Sequence, residues 1–283
     1  MLEVDTPVLA RTTVTDVAIE SLSTVLAGET FYLQTSPEYH MKRLLAAGAP
    51  SIVRIGPVFR ADEAGRFHNP EFTMVEWYRL GFGLDELMNE TADLVDRALG
   101  AAPYRRLRHA ELLETVGVEP GERALAPLVR AAEALGSRGA FVQWTPRELV
   151  DLLLSEAIRR VGNGRLFVTD YPADQAALAR ITTDARGAAV AARFELIVDG
   201  IEIANGYDEL VDADVLAARM ESDRRVRRAR GQTVPDADTR LLEALRAGFP
   251  PCAGVALGFD RMLMLKFGAS RLEDVMPFPA TRA

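Results

Sequence analysis

Residues 193 to 205 read Arg-Phe-Glu-Leu-Ile-Val, then Asp-Gly, then Ile-Glu-Ile-Ala-Asn. Two apolar, β-branched runs separated by Asp199-Gly200 are the strongest short-range hairpin signal, because that dipeptide accepts the positive φ angles of a tight primed turn. A hairpin fixes its two strands antiparallel. Residues 31–34, 52–59, 71–80 and 253–258 also read as strands, the run at 71–80 alternating through Phe72, Val75, Trp77 and Tyr78. Regular βαβ alternation is missing. The pattern therefore predicts an α+β fold, an antiparallel sheet flanked by helices, and not a doubly wound one.

Three helices frame these strands. Asp85 reads as an N-cap for residues 86–99, where Leu87, Thr91, Leu94, Val95 and Ala98 share a face. Residues 213–230 read as a helix whose end carries Arg224, Arg225, Arg227, Arg228 and Arg230, a run most often solvated. Asp260 to Phe267 follows the run at 253–258. Residues 102 to 165 read as helical, broken at Gly117, Pro120, Gly136 and Pro146, and are expected to form a helical insertion in one catalytic domain spanning 1–283.

Composition narrows the function classes. A net charge of -8 argues against broad nucleic-acid binding, which needs clustered Lys and Arg. No stretch approaches the roughly 20 apolar residues of a membrane span, and the opening MLEVDTPVL lacks signal-peptide features. The single cysteine, Cys252, has no metal-ligand neighbours, and His40, His68 and His109 are the only histidines. These features lead to the expectation of a cytoplasmic protein without a histidine-rich metal site.

Two arginines and two glutamates stand in distinctive settings. Arg60 follows Val58-Phe59, Arg261 ends the run Gly254 to Arg261, and Glu202 and Glu209 flank Asn205-Gly206. ATP-driven activation of a carboxylic acid brings two anions together, so fixed arginines and carboxylate-held Mg²⁺ are the stabilisers it needs. Taken singly, each residue reads as an ordinary surface ion-pair partner or strand position.

The order of the motifs is more specific. The stretch Phe59-Arg60 through Arg66-Phe67-His68-Asn69-Pro70-Glu71-Phe72-Thr73-Met74-Val75-Glu76-Trp77-Tyr78 resembles the second motif of the class II aminoacyl-tRNA synthetases of the lysine type. Gly254 to Arg261 resembles the third motif, Leu2 to Pro7 the end of the first, and Gly200 to Leu210 the metal and ATP strand. A closer resemblance is to the short paralogues of lysyl-tRNA synthetase that attach (R)-β-lysine to a lysine of elongation factor P. It rests on the absence of room for an anticodon-binding domain, on Ser36 in Thr35-Ser36-Pro37-Glu38, and on Ala256. Asp62 stands where the second motif usually has glutamate, with Glu63 after it.

The resemblance implies the class II catalytic fold, usually a homodimer, and these roles. Arg60 would bind the α-phosphate and the substrate carboxylate within an ATP site that includes Ala61 and Asp62. Phe72 and Arg261 would sandwich adenine, and His68 and Asn69 would hold the triphosphate. Glu202 and Glu209 would hold Mg²⁺, with Ile203 and Gly258 shaping the nucleotide site. Ser36, Pro37, Glu38, Glu76, Tyr78, Glu209 and Ala256 would line the pocket for lysine or β-lysine. Elongation factor P is the expected acceptor and tRNA is not. The rival readings are a minimal lysyl-tRNA synthetase and a catalytically silent synthetase-like regulator.

Overall fold

The computed structural model describes residues 1–61, 63–137 and 141–283. The chain first runs through β1 (Leu2–Glu3), β2 (Leu9–Ala10), β3 (Ser23–Leu26), β4 (Glu29–Leu33), α1 (Glu38–Ala46), β5 (Ile52–Phe59), β6 (Glu71–Leu80) and α2 (Leu84–Leu99). Next come β7 (Tyr104–Arg108), α3 (His109–Glu114), α4 (Leu125–Ala134), α5 (Pro146–Val161), β8 (Arg165–Pro172), β9 (Ile181–Thr183) and β10 (Ala189–Val198). The chain ends with β11 (Ile201–Asp208), α6 (Ala213–Arg230), α7 (Thr239–Gly248), β12 (Cys252–Gly258) and α8 (Phe259–Phe267). Two compact units emerge, one of Met1–Gly100, Ala177–Arg180 and Ile203–Ala283, the other of Ala101–Ala176 and Ile181–Glu202.

In the first unit the strand order is β1-β5-β6-β12-β11. Only β1 lies parallel to its neighbour; β5, β6, β12 and β11 pair antiparallel. The expected strands at 52–59 and 71–80 coincide with β5 and β6. A smaller sheet, β2-β4-β3, stands beside them in the sequence. Tyr39, Met41 and Leu45 of α1, Leu216 and Met220 of α6, and Leu241 and Leu245 of α7 form one buried cluster with Ile52, Tyr78 and Cys252 from the strands. Trp77 alternates to the opposite side, where its Nε1 donates to Glu90 of α2 at 2.9 Å.

The second unit corrects the helical insertion. It contains α3, α4 and α5, but it opens with a strand, β7, which pairs parallel to β8. The charged run Tyr-Arg-Arg-Leu-Arg hides that strand from a pattern search: none of its five positions is buried, and the strand is held by its pairing with β8 and by Arg105, which donates to the carbonyls of Val161 and Asn163. β8 pairs antiparallel with β10, and β9 adds to β10. The Asp199-Gly200 turn has φ of +48° and +80°, the two left-handed positions that a type I′ turn demands.

Two local expectations also change. Gly83, not Asp85, is the N-cap of α2, because Glu86 reaches back to accept from the Gly83 amide at 2.8 Å. The basic run on α6 is not a solvated face throughout. Arg227 is 2% exposed, and its guanidinium donates to the carbonyls of Thr15 at 3.0 Å, Asp16 at 2.6 Å and Thr233 at 2.8 Å, and pairs with Glu20 at 2.9 Å. Arg224 and Arg228 both pair with Glu221. No described helix is long and apolar enough to cross a membrane.

Arg227 thus ties residues 15–20 to α6 through one buried side chain. Arg227→Ala removes the donors and leaves those carbonyls unpaired, so it is expected to lower unfolding free energy by about 3–5 kcal/mol. Denaturant titration of the variant against wild type checks this; an unchanged midpoint would show that the arginine is dispensable.

Candidate functional site

Strand register assembles the site. Residues two apart on a strand share a face. Along β5 and β6, Val58 lies beside Phe72, Gly56 beside Met74, Arg54 beside Glu76 and Ile52 beside Tyr78. β12 continues the rungs with Gly258 beside Met74, Ala256 beside Glu76 and Gly254 beside Tyr78. β11 adds Asn205 beside Ala256 and Tyr207 beside Gly254. One sheet face therefore carries carboxylate, phenol and aromatic groups on β6, while β12 contributes glycine and alanine at the rungs of Met74, Glu76 and Tyr78. Small residues on β12 let the side chains of neighbouring elements pack close to the strand, as Tyr78 and Glu209 do at Gly254.

One end of this face is acidic and buried. Ser36 donates to Glu76 Oε2 at 2.7 Å, and the Tyr78 hydroxyl donates to Glu76 Oε1 at 2.7 Å. The same Ser36 oxygen accepts from the Glu38 amide at 3.0 Å, just past Pro37, which caps α1. Lys42, which the sequence reading did not single out, lies 2.6 Å from Glu38 Oε1 and 2.6 Å from Glu209 Oε2. Glu76, Glu209 and Lys42 are each no more than 2% exposed. Burial and the nearby Glu38 charge push the Glu76 carboxyl up to about 7, against the hydrogen bonds from Ser36 and Tyr78. Burial pushes Glu209 up to about 8 despite the Lys42 ammonium beside it. Burial opposes the charge on Lys42, but Glu209 and Glu38 outweigh it and hold the ammonium protonated, above the usual lysine range. Three carboxylates against one lysine make an enclosed site suited to a cationic ligand.

Gly254 explains why no side chain intrudes there. A Cβ at that position would lie 2.4 Å from Tyr78 Cε1 and 2.6 Å from Glu209 Oε1. Cys252, one rung further along, is buried, and burial drives its thiol far up, so it is an inert core residue.

The other end is basic and aromatic. The Arg60 guanidinium lies over the Phe72 ring at 5.2 Å and pairs with Glu63 at 3.3 Å. Arg60 covers Phe72, and Arg261, the other residue expected at the adenine, donates to the Phe67 carbonyl at 3.1 Å and lies 2.7 Å from His68 Nε2. Burial and Arg261 lower the His68 pKa, so its neutral ring accepts from the guanidinium. Asn69 is committed to the backbone, donating to the Glu71 carbonyl at 2.5 Å and accepting from the Ala280 amide at 2.9 Å. These two bonds brace the chain and use one of the two N–H donors of the amide. Asp260 accepts from the Thr73 amide at 2.6 Å and so locks the start of α8, with its cap Gly258, onto β6. The Ala61 amide is held by the Glu20 carbonyl at 2.8 Å. Asp62 lies outside the described residues.

The two candidate metal ligands differ. Glu202 is half-buried on β11, while Ile203 beside it is buried and Glu209 already faces Lys42. Among the described residues there is no group of three or more His, Cys, Asp or Glu able to hold a metal. The ion pair with Lys42 favours the amino-acid role of Glu209.

The chain matches the family model described as tRNA synthetases class II (D, K and N) over residues 1–282. It is similar to a protein of Yersinia enterocolitica named elongation factor P–(R)-β-lysine ligase, at 43% identity over 100% of this chain and 90% of that one. Proteins of the same name from Photobacterium profundum and Salmonella arizonae are each 42% identical, covering 99% and 100% of this chain and 89% and 90% of their own lengths.

Gly254→Ala forces the Tyr78 ring and the Glu209 carboxylate apart. The variant is expected to lose about 1–3 kcal/mol of stability through overpacking. Thermal unfolding measures it, and a wild-type melting temperature would mean that the pocket is looser than the strand register implies.

Proposed function

The chain belongs to the class II tRNA synthetases of the D, K and N group, and we propose that it is an ATP-dependent ligase. It activates (R)-β-lysine as an adenylate and transfers the acyl group to a lysine of elongation factor P. The observation that carries this reading is the buried acid pocket of Glu38, Glu76 and Glu209, in which Ser36 is hydrogen-bonded to Glu76. The names of the relatives support the acceptor and the amino acid. A cytoplasmic setting and a homodimer belong to the same proposal.

The chemistry follows from the two ends of the sheet face. The amine-reading end holds the ammonium groups against Glu76, Tyr78 and Glu209. The carboxylate then points toward Arg60 and Phe72, where ATP lies. A carboxylate oxygen attacks the α-phosphorus, the bond to the bridging oxygen breaks, and pyrophosphate leaves. Arg60 and Arg261 offset the charge that builds on the phosphoryl oxygens. Mg²⁺ held with Glu202 would screen the phosphates. The lysine amine of the acceptor next attacks the acyl carbon; the carbon–oxygen bond to AMP breaks, an amide forms, and the amine loses its proton. The enzyme's part is to align the reactants and keep water from the adenylate.

Enzyme, ATP and (R)-β-lysine are expected to add one β-lysyl group to one lysine of elongation factor P, read by intact mass. Arg60→Ala should slow adenylate formation by about a hundredfold in pyrophosphate exchange. Efficient charging of lysine tRNA with no mass change on the factor would replace this reading with the minimal synthetase. Absence of any pyrophosphate exchange in the wild type would replace it with the silent regulator.

The acid pocket also sets a pH dependence. A dicationic ligand binds the ionised carboxylates, which are present above about 7 for Glu76 and about 8 for Glu209. As pH falls below those values the ligand must displace protons, so affinity drops. The KM for the amino acid is expected to be about tenfold or more higher at pH 6 than at pH 8. Pyrophosphate exchange across that range tests it; a flat KM would mean that the pocket carboxylates stay ionised throughout.

A further inference from the structure

Arg54 has no role in the reading so far. It projects from β5 onto the same sheet face as Glu76, its cross-strand neighbour. It is 3% exposed, and its Nε and Nη1 are buried without a hydrogen-bond partner among the described residues. Its nearest carboxylate, on Asp5, is 3.7 Å from Nε and itself almost fully solvated. A buried guanidinium normally fills its donor positions, because an uncompensated buried charge is strongly destabilising. Asp5 and, across the strand, Glu76 favour the charge, but two of the guanidinium's buried donor atoms have no hydrogen-bond acceptor among the described residues.

Gly56 shows where that charge points. A Cβ on Gly56 would lie 3.0 Å from Arg54 Nη2 and 3.1 Å from both Nη1 and Cζ. Gly56 has no left-handed backbone to excuse it, so the missing side chain serves space alone: the guanidinium lies flat over Gly56. That rung, Gly56 beside Met74 beside Gly258, falls between the Glu76 rung, which reads amines, and the Phe72 rung, which meets ATP. An acceptor that arrives with the substrate at this junction is the carboxylate of the amino acid.

We propose that Arg54 is a second carboxylate-binding residue of the amino-acid site, donating from its guanidinium to the carboxylate and holding it beside the α-phosphate that Arg60 grips. This rests on the ligase reading above. Arg54 neither attacks nor protonates anything; it fixes the nucleophile, and an ammonium on the carbon next to the carboxylate is disfavoured by the same charge.

Binding of (R)-β-lysine, of its amino alcohol with the carboxylate reduced to hydroxymethyl, and of ATP is measured by calorimetry on wild type and on Arg54→Met. The variant is expected to bind (R)-β-lysine tenfold or more weakly, while the amino alcohol and ATP stay within twofold and the melting temperature is unchanged or raised. Gly56→Ala, which keeps the charge but displaces it, is expected to weaken (R)-β-lysine in the same selective way. Equal weakening of amino acid and amino alcohol would make Arg54 structural and overturn the proposal, as would unchanged binding of both. A wild type that binds (R)-β-lysine but forms no adenylate would sink the ligase reading alone; one that does not bind it would sink both.

Discussion

The buried pairing of Lys42 with Glu38 and Glu209 is the constraint around which the first unit is organised. Carboxylates do not remain charged in an apolar interior without a cation or several donors. Lys42 supplies that cation from the inner face of α1, so α1 must lie where β11 ends. Ser36 and Pro37 then fix the entry to α1, and the loop that contains them delivers Ser36 to Glu76. The hydrophobic cluster of α1, α6 and α7 supports this arrangement.

From that anchor the antiparallel register does the rest. A slip of one residue between β6 and β12 would send Glu76 and Tyr78 to the side of Trp77 and bring apolar groups to the site. Register is held at both ends of β6, by Asp260 on the Thr73 amide and by Ser51 on the Leu80 amide. The site is therefore built on rigid strands, and the bulky groups come from one of them while its neighbour stays small.

Much of this was legible from residues. The alternation of 71–80 and the Asp199-Gly200 turn announce their own geometry because strand period and turn chemistry are local. The motif order around Arg60, Glu202 and Gly254 to Arg261 carried the family. What stayed hidden depends on contacts distant in sequence. Lys42 is a lysine on a helix until Glu209, far along the chain, is brought beneath it; only its four-residue spacing from Glu38 hinted at a pair. Arg227 sits in a run of arginines with nothing local to mark it as the buried one. β7 carries three arginines in five residues, and its pairing with β8 overrides that pattern. Arg54 reads as one more polar strand residue, and its unfilled donors exist only once the surrounding chain has closed over it.

The same accounting of charge separates the two ways this face could choose a substrate. Lys42 offsets one of the three carboxylates, so the acid end stays short of positive charge when all are ionised, even with Arg54 across the strand from Glu76. A ligand with two ammonium groups closes that gap; a neutral analogue leaves a buried carboxylate unpaired, which discriminates more strongly than pocket shape. Shape still decides where along the face the second ammonium sits. Ser36 and Tyr78 each occupy one oxygen of Glu76, so the ligand's amine must approach along the remaining lone pairs. Ala256 lies beside Glu76 on the neighbouring strand. With Arg54 fixed one rung closer to ATP, positive charge on the ligand is drawn toward Glu76 and away from the reacting carboxylate. In the proposed ligase, acid end, hydroxyl and guanidinium together would select for an amine set back from the carboxylate, through the spacing of charges across neighbouring strands of one sheet face.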